Sequence, residues 1–440
     1  MEKTKKLGGK FWLALTIFSL MGQVAWVVEN MYLNVFIYER FGASPGNISA
    51  MVAASAVTAT LTTVFMGALS DRIGKRRLLI CGGYILWGIS IFSFVFADMF
   101  VASATLGIIL TILLDCVMTF FGSTANDAAF NAWLTDSTDS SNRGRAEGIN
   151  AMMPLVAVLV VFGGFMFLNA ENKFYWTIIF SIIGALTLVI GVVGFFLIKE
   201  PKMEKAEMGY LDSILYGFKP KTVKKFPVLY IALAAFIVFN ISIQIFMPYL
   251  IIYYQETLEM SNYVLVMAPA IVIASIVTAF WGKLYDSKGF TLSGVLSLMM
   301  LIVGYIVLFF TQNTVLVFIG SLLMMSGYLS GMAVFGALIR DNIPQGKAGC
   351  LQGIRIFSQV LVPGIVGPAI GSAVLSSADT IVNGDGTESF IPNANIFLAA
   401  AIAVLPVFIV FFVLKNKKLR KNEVSEVIDE ETDVAQNTEE

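Results

Sequence analysis

Apolar runs of about twenty residues follow one another along nearly the whole chain, and this succession restricts the fold more than any other feature of the sequence. A bilayer core of about 30 Å, crossed at 1.5 Å per helical residue, calls for runs of that length. About twelve can be placed. The first six run near Phe11 to Tyr38, Ile48 to Leu69, Leu78 to Ala97, Val101 to Thr124, Ile149 to Leu168 and Phe174 to Ile198. The second six run near Val228 to Tyr254, Tyr263 to Trp281, Thr291 to Phe310, Val315 to Ala337, Leu351 to Val374 and Ile396 to Leu414. With 57% hydrophobic and 13% charged residues, the 440-residue chain has too little polar surface for water to be its main solvent. The expected fold is an all-α polytopic membrane protein.

Charge order then sets the topology. With the N-terminus in the cytoplasm, every basic residue of the 29 except Arg40 and Lys173 falls on the cytoplasmic side. Both termini are therefore expected there, in a cell (inner or plasma) membrane. The basic N-terminus leads into an apolar stretch too long for a cleaved signal, so it reads as an uncleaved first span. The only long polar stretch between spans divides the chain into a six-helix half at 1–198, a linker at 199–226 and a second six-helix half at 227–415. In the linker, Leu211, Ile214, Leu215 and Phe218 recur at helical spacing among lysines, which suits an amphipathic helix on the inner leaflet. The acidic tail, 416–440, lacks apolar periodicity and is expected to be disordered. Three cysteines without CxxC spacing argue against a disulfide framework or a metal cage, and the charge balance implies no nucleic-acid partner.

The two halves repeat. GALSDRIG, from Gly67 to Gly74, lies in register on GKLYDSKG, from Gly282 to Gly289. Continued backwards, the same register sets Tyr38 on Tyr253 and Glu29 on Gln244. AAFNAWLTD, ending at Asp136, lies on AVFGALIRD, ending at Asp341. Duplicated halves around a central site are a common plan among membrane carriers.

Between the second and third spans, Gly67, Asp71, Arg72, Gly74 and Arg76 form GALSDRIGKRR. Gly67 would let two helices approach closely, Asp71 would face a helix N-terminus or an arginine, and the basic cluster would hold lipid headgroups. In motif and position this resembles the signature loop of the major facilitator superfamily, and the resemblance extends over nearly the whole chain. It implies two pseudo-symmetric six-helix bundles, alternating access, and a cavity lined by spans one, four, seven and ten. The matching ends of spans four and ten, Ala-Trp-Leu-Thr-Asp to Asp136 and Ala-Leu-Ile-Arg-Asp to Asp341, are similar to the sugar:cation symporters, among them the glycoside-pentoside-hexuronide and sucrose carriers. The second span lacks the aspartate of the sodium-coupled melibiose carriers, and span five lacks the antiporter signature of drug exporters. A symporter working in uptake is the expectation.

A charge at mid-bilayer costs about 2.5 to 3.5 kcal/mol, so it persists only where protein or water receives it. Glu29 and Asp115 are the two carboxylates in that position, and with no histidine in the chain a carboxylate must carry any coupled proton. Coupling to H+ or Na+ is one use of each; a hydrogen bond to a neighbouring helix is the other. Gln23, Asn30 and Asn34 are expected on one face of the first span, Asn240 and Gln244 on one face of the seventh, and Thr111, Asp115 and Thr119 on one face of the fourth. With Trp26 and Tyr32, these amides and Thr119 would suit a polyhydroxylated solute, or would tie helices together. Asp127, Asp136 and Arg145, with Asp286, Asp341 and Arg355 in the second half, are expected at the inner mouth as a gate of ion pairs, or simply as solvated charges.

Other functions fit less well. A carrier of a drug, a lysolipid or an organic anion remains the nearest alternative, but an anion carrier should place a basic residue in mid-span. A membrane enzyme is disfavoured by the lack of histidine and HExxH, and an ATP-driven pump by the lack of GxxxxGK[ST]. The expected partners are a small solute and the lipid bilayer, without a cofactor, for a monomer.

Overall fold

The computed structural model describes residues 7–100, 103–138, 142–168, 172, 174–200, 215–260, 262–343, 348–382 and 388–414. Among the described residues, ten helices are long and apolar enough to cross a membrane. They are α1 (Gly9–Phe41), α2 (Pro45–Ile73), α3 (Arg76–Met99), α4 (Ala104–Ser137), α5 (Arg145–Phe165) and α6 (Tyr175–Leu197), then α7 (Pro227–Thr257), a continuous stretch at Val264–Phe310, α10 (Thr314–Asp341) and α11 (Gly353–Leu375). The 47-residue stretch is two spans joined at Gly289, whose φ of 77° breaks the helix; they are α8 (264–288) and α9 (290–310). A shorter apolar helix, α12 (Asn395–Phe411), gives the twelfth crossing.

Pairing follows the internal repeat. α1 packs on α5 as α7 packs on α11, and α3 packs on α6 as α9 packs on α12. The halves meet where α2 lies against α11, with Gly364 seated on Ala56. No Cβ fits at Gly364, so the helix backbones approach closely there. Apolar side chains such as Leu61, Leu113, Phe196 and Phe310 stay exposed on the outside of the bundle, where lipid would cover them.

Two features depart from a plain helical reading. α1, α4, α7 and α11 each contain a π-helical turn, at Val28–Tyr32, Ser123–Phe130, Tyr253–Thr257 and Phe357–Leu361. Each widened turn shifts the rotational phase of everything after it. Between α11 and α12, β1 (Thr380–Val382) pairs antiparallel with β2 (Glu388–Phe390), a hairpin that hydropathy does not announce. The expected amphipathic helix in the linker lies mostly outside the described residues, although Tyr216–Phe218 form a 3₁₀ turn and Pro220–Lys225 a short helix. The tail expected to be disordered lies outside them entirely. The fourth helix continues past its apolar run to Ser137, and the tenth to Asp341, so both carry their polar ends as helix rather than loop.

Candidate functional site

α1, α2 and α4 converge on Glu29. Its Oε1 accepts hydrogen bonds from Ser55 Oγ at 2.7 Å and Thr119 Oγ1 at 2.9 Å, and those two hydroxyls lie 2.9 Å from each other. The side chain is only 6% exposed, and its Oε2 has no partner among the described residues. Asp115, one turn from Thr119 along α4, is 2% exposed, and its Oδ1 is likewise unpartnered. Glu29 acts electrostatically on Asp115, as Asp127 does on Glu29, and among the described residues no lysine or arginine acts on either. Both carboxyls that hydropathy singled out are therefore brought together, and the hydroxyl that joins two of the helices at Glu29, Ser55, had no distinguishing pattern in the sequence.

The amides divide. The π turn at Val28–Tyr32 splits the face expected to hold Gln23, Asn30 and Asn34: Asn30 is exposed, Gln23 half-buried and Asn34 fully buried. Asn30 donates to the Trp26 carbonyl at 2.8 Å, and Asn34 to the Asn30 carbonyl at 2.8 Å, leaving Asn34 Oδ1 without a partner. Trp26 packs on Trp87, with ring centroids 5.1 Å apart. Tyr32 is enclosed by Phe162 and Phe165, and its hydroxyl accepts from Tyr263 at 3.0 Å, so it lies in the seam between halves. On α7, Asn240 is buried and donates to the Phe236 carbonyl at 2.8 Å, whereas Gln244 is half-buried with its Cβ pressed on Gly367. Thr111, Asp115 and Thr119 do share one buried face of α4.

At the face that carries the linker, Arg76 is 3% exposed and binds three partners: Ser70, Asp71 and, at 3.1 Å, Asp136. Gly74, at φ 68°, turns the chain so that the arginine can fold back on α2. Arg72 projects outward. Gly67 does not sit at a close approach: nothing lies within 4 Å of where its Cβ would be. The second half repeats the turn at Gly289 but not the arginine, and Tyr285 donates to Asp341 at 2.7 Å instead, with Asp286 exposed. Arg145 lies over the Trp12 ring at 4.7 Å, and Arg355 comes within electrostatic reach of Arg340 and of Glu147 from the other half. Asp127 stands apart from this group. It lies in the bundle interior, held by Ser123 at 3.1 Å and Asn126 at 3.2 Å with Trp26 against it, within electrostatic reach of Glu29.

At the remote face the halves are joined by hydrogen bonds. Tyr38 donates to the Phe390 carbonyl of the hairpin at 2.8 Å, and Tyr249 to the Pro45 carbonyl at 3.0 Å. A cleft of about 370 Å³, lined by Ser44, Ser372 and Thr380 among others, lies beside these bonds.

The profile described as Major Facilitator Superfamily matches residues 11–368 of the chain. Comparison with curated proteins finds no match. Among solved structures, the E. coli xylose transporter XylE, partially occluded and inward open, is similar with a TM-score of 0.69 and 13% identity, covering 92% of this chain and 97% of that one. A bacterial homologue of the human lysosomal transporter Spinster, inward-facing and unoccupied, gives 0.68 and 15%, covering 93% and 97%. The nucleoside transporter NupG gives 0.65 and 13%, covering 92% and 98%. At such identities the likeness is one of fold.

Proposed function

The chain belongs to the Major Facilitator Superfamily, and from that premise we propose that this secondary transporter couples inward movement of a cation, H+ or Na+, to uptake of a sugar or glycoside by alternating access. The observation that carries the reading is Glu29: a carboxyl inside the bundle, at the junction of three helices, bonded among the described residues only by hydroxyls, and within electrostatic reach of a second carboxyl with no basic partner among those residues. Such a group is costly to keep in a membrane and is suited to exchanging a cation as water reaches it from one side and then the other.

The second half has no equivalent. The repeat sets Gln244 on Glu29, Ala270 on Ser55, Gly320 on Asp115 and Met324 on Thr119. Coupling is thus assigned to the first half, and amides such as Gln23, Asn30, Asn240 and Gln244 to the solute. Several solved structures of similar fold are named as xylose or nucleoside transporters, one of them a D-xylose-proton symporter, which favours a polyhydroxylated solute here. With the linker and termini in the cytoplasm of a plasma or inner membrane, the tyrosine seam closes the outer side, and the conformation is inward-facing. Arg76, buried against its partners Asp71 and Asp136, and Arg355 with Glu147 then act as the inner gate, through charged contacts that form in one state and break in the other.

The test is counterflow and gradient-driven accumulation in proteoliposomes, using a labelled panel of sugars, glycosides and nucleosides under a pH or a sodium gradient. Glu29→Gln is expected to keep counterflow and lose accumulation. Full accumulation in both Glu29→Gln and Asp115→Asn would falsify the coupling assignment.

A further inference from the structure

Five buried side-chain oxygens of the first half lack hydrogen-bond partners among the described residues: Glu29 Oε2, Asn34 Oδ1, Thr111 Oγ1 and Asp115 Oδ1, and, on α2, Thr60 Oγ1. An orphaned polar atom in a bundle interior is costly, so four on one pair of helices call for an occupant. The first four belong to α1 or α4. These helices run antiparallel, because Glu29 meets Thr119 and, twelve residues on along each, Phe41 lies against Gly107. Interpolation between those contacts puts Asn34 level with the Asp115 turn.

The π turn is what aligns the residues of α1. In an α-helix, residues five apart diverge by about 140° on the wheel, so Asn34 would face away from Glu29. Across the π turn at Val28–Tyr32 the five-residue step closes one turn, and the two side chains fall on one side. On α4, Thr111, Asp115 and Thr119 follow at single-turn intervals of about 6 Å. Asn34 Nδ2 is committed to the Asn30 carbonyl, so its oxygen faces the seam as an acceptor.

The spread of these oxygens discriminates between occupants. A metal ion gathers its oxygen ligands at about 2.4 Å, so opposite ligands stand roughly 5 Å apart. Oxygens distributed over two turns, about 12 Å, cannot converge on one ion. Moreover, no group of three or more acidic, cysteine or histidine side chains among the described residues is arranged to hold a metal.

We propose that the seam between α1 and α4 is a proton track, in which Thr111, Asp115 and Thr119 carry one proton between the remote face and Glu29, with Asn34 positioning Asp115. This rests on the reading of Glu29 and Asp115 as coupling groups and names their ion. The transfer balances without a further reactant. Asp115 gives its carboxyl proton to the Thr119 hydroxyl as that hydroxyl passes its own to the Glu29 carboxylate, and water beyond Thr111 restores the proton on Asp115. Asn34 is a positioning residue whose carbonyl oxygen takes a hydrogen bond from protonated Asp115. The groups facing the track are Ser55 from α2 and, within α4, Asp127 and Cys116; neither of the two carboxyls has a basic side chain among the groups acting on it. The Phe41 ring on Gly107 closes the remote end in this conformation.

Infrared titration of the full-length protein in lipid nanodiscs, in potassium buffer without solute, tests the track. Asp115→Asn should remove one protonated-carboxyl band. Thr111→Val should shift that band to higher frequency as a hydrogen bond is lost, Thr111→Ser should restore it, and Asn34→Leu, a second probe if the valine variant does not reconstitute, should shift it as well. Addition of NaCl or LiCl should leave it unchanged. The proposal is overturned if sodium or lithium erases the band, if Asp115→Asn removes none, or if neither Thr111→Val nor Asn34→Leu moves it. Loss of the track alone would leave Glu29→Gln uncoupled in the transport assay, whereas accumulation surviving Glu29→Gln would mean that the coupling reading itself had failed.

Discussion

Tyr263, at the start of α8, donates its hydroxyl hydrogen to Tyr32 of α1 at 3.0 Å, so two tyrosines from opposite halves close the remote face against each other. Both are nearly buried, and removing either hydroxyl should cost the closed state about 1 kcal/mol. Tyr32→Phe or Tyr263→Phe should therefore shift the population about fivefold towards opening at that face. A cysteine placed at Ser372, in the adjoining cleft, in a background without Cys81, Cys116 and Cys350, should react faster with a water-borne thiol reagent by that factor. An unchanged rate would remove the tyrosine pair from the gate.

Arg76 is the buried centre of the loop between α2 and α3, whereas its partners Asp71 and Asp136 are 51% and 28% exposed. Arg76→Ala gives up charged hydrogen bonds, each worth about 1.5 to 3 kcal/mol before solvent screening lowers the sum. Arg76→Lys should recover only part of this, because an ammonium cannot reach Ser70, Asp71 and Asp136 together. Thermal unfolding in detergent should rank wild type above lysine and lysine above alanine.

Gly67 and Gly371 should respond in opposite ways. A side chain at Gly371 would strike the Ile245 carbonyl and the Tyr249 ring, so Gly371→Val should destabilise by about 1 to 3 kcal/mol. Gly67 faces open space here, and Gly67→Val should change stability by no more than about 0.5 kcal/mol. If the linker face closes by bringing a helix onto Gly67, transport by that variant should nevertheless fall tenfold or more. Normal transport would show that no helix reaches Gly67 in the cycle.

The sign of the pH dependence follows from direction. A carrier that loads a proton at the remote face together with its solute should accumulate more solute as the pH outside falls at fixed internal pH. Glu29→Gln should flatten that profile, because the amide neither binds nor releases a proton. A profile of the opposite slope in inside-out-controlled vesicles would indicate exchange rather than symport.

Much of the architecture was legible in the sequence. Hydropathy placed most crossings within several residues of their helices, because the length of an apolar run is fixed by the membrane and not by the neighbouring helices, whereas the fourth helix runs well past the expected end at Thr124 to Ser137. Glu29 and Asp115 stood out for the same reason: a carboxyl in such a run is conspicuous. Asp127 and Asn34 were assigned less well. Asp127 lay next to a charged segment along the chain and was grouped with it, yet the fourth helix carries it inward to Trp26 and towards Glu29.

The sequence by itself determined the number of crossings, the repeat and the family motif, since each depends on local composition or on residues close together along the chain. Only the tertiary structure decided that Ser55 and Thr119 bind Glu29, that Arg76 holds two carboxylates, and that Tyr32 bonds Tyr263 across the halves. Those contacts depend on how each helix is rotated about its axis. A single widened turn resets that rotation, and the hydrophobic pattern of a helix surrounded by lipid and other helices is too uniform to reveal it.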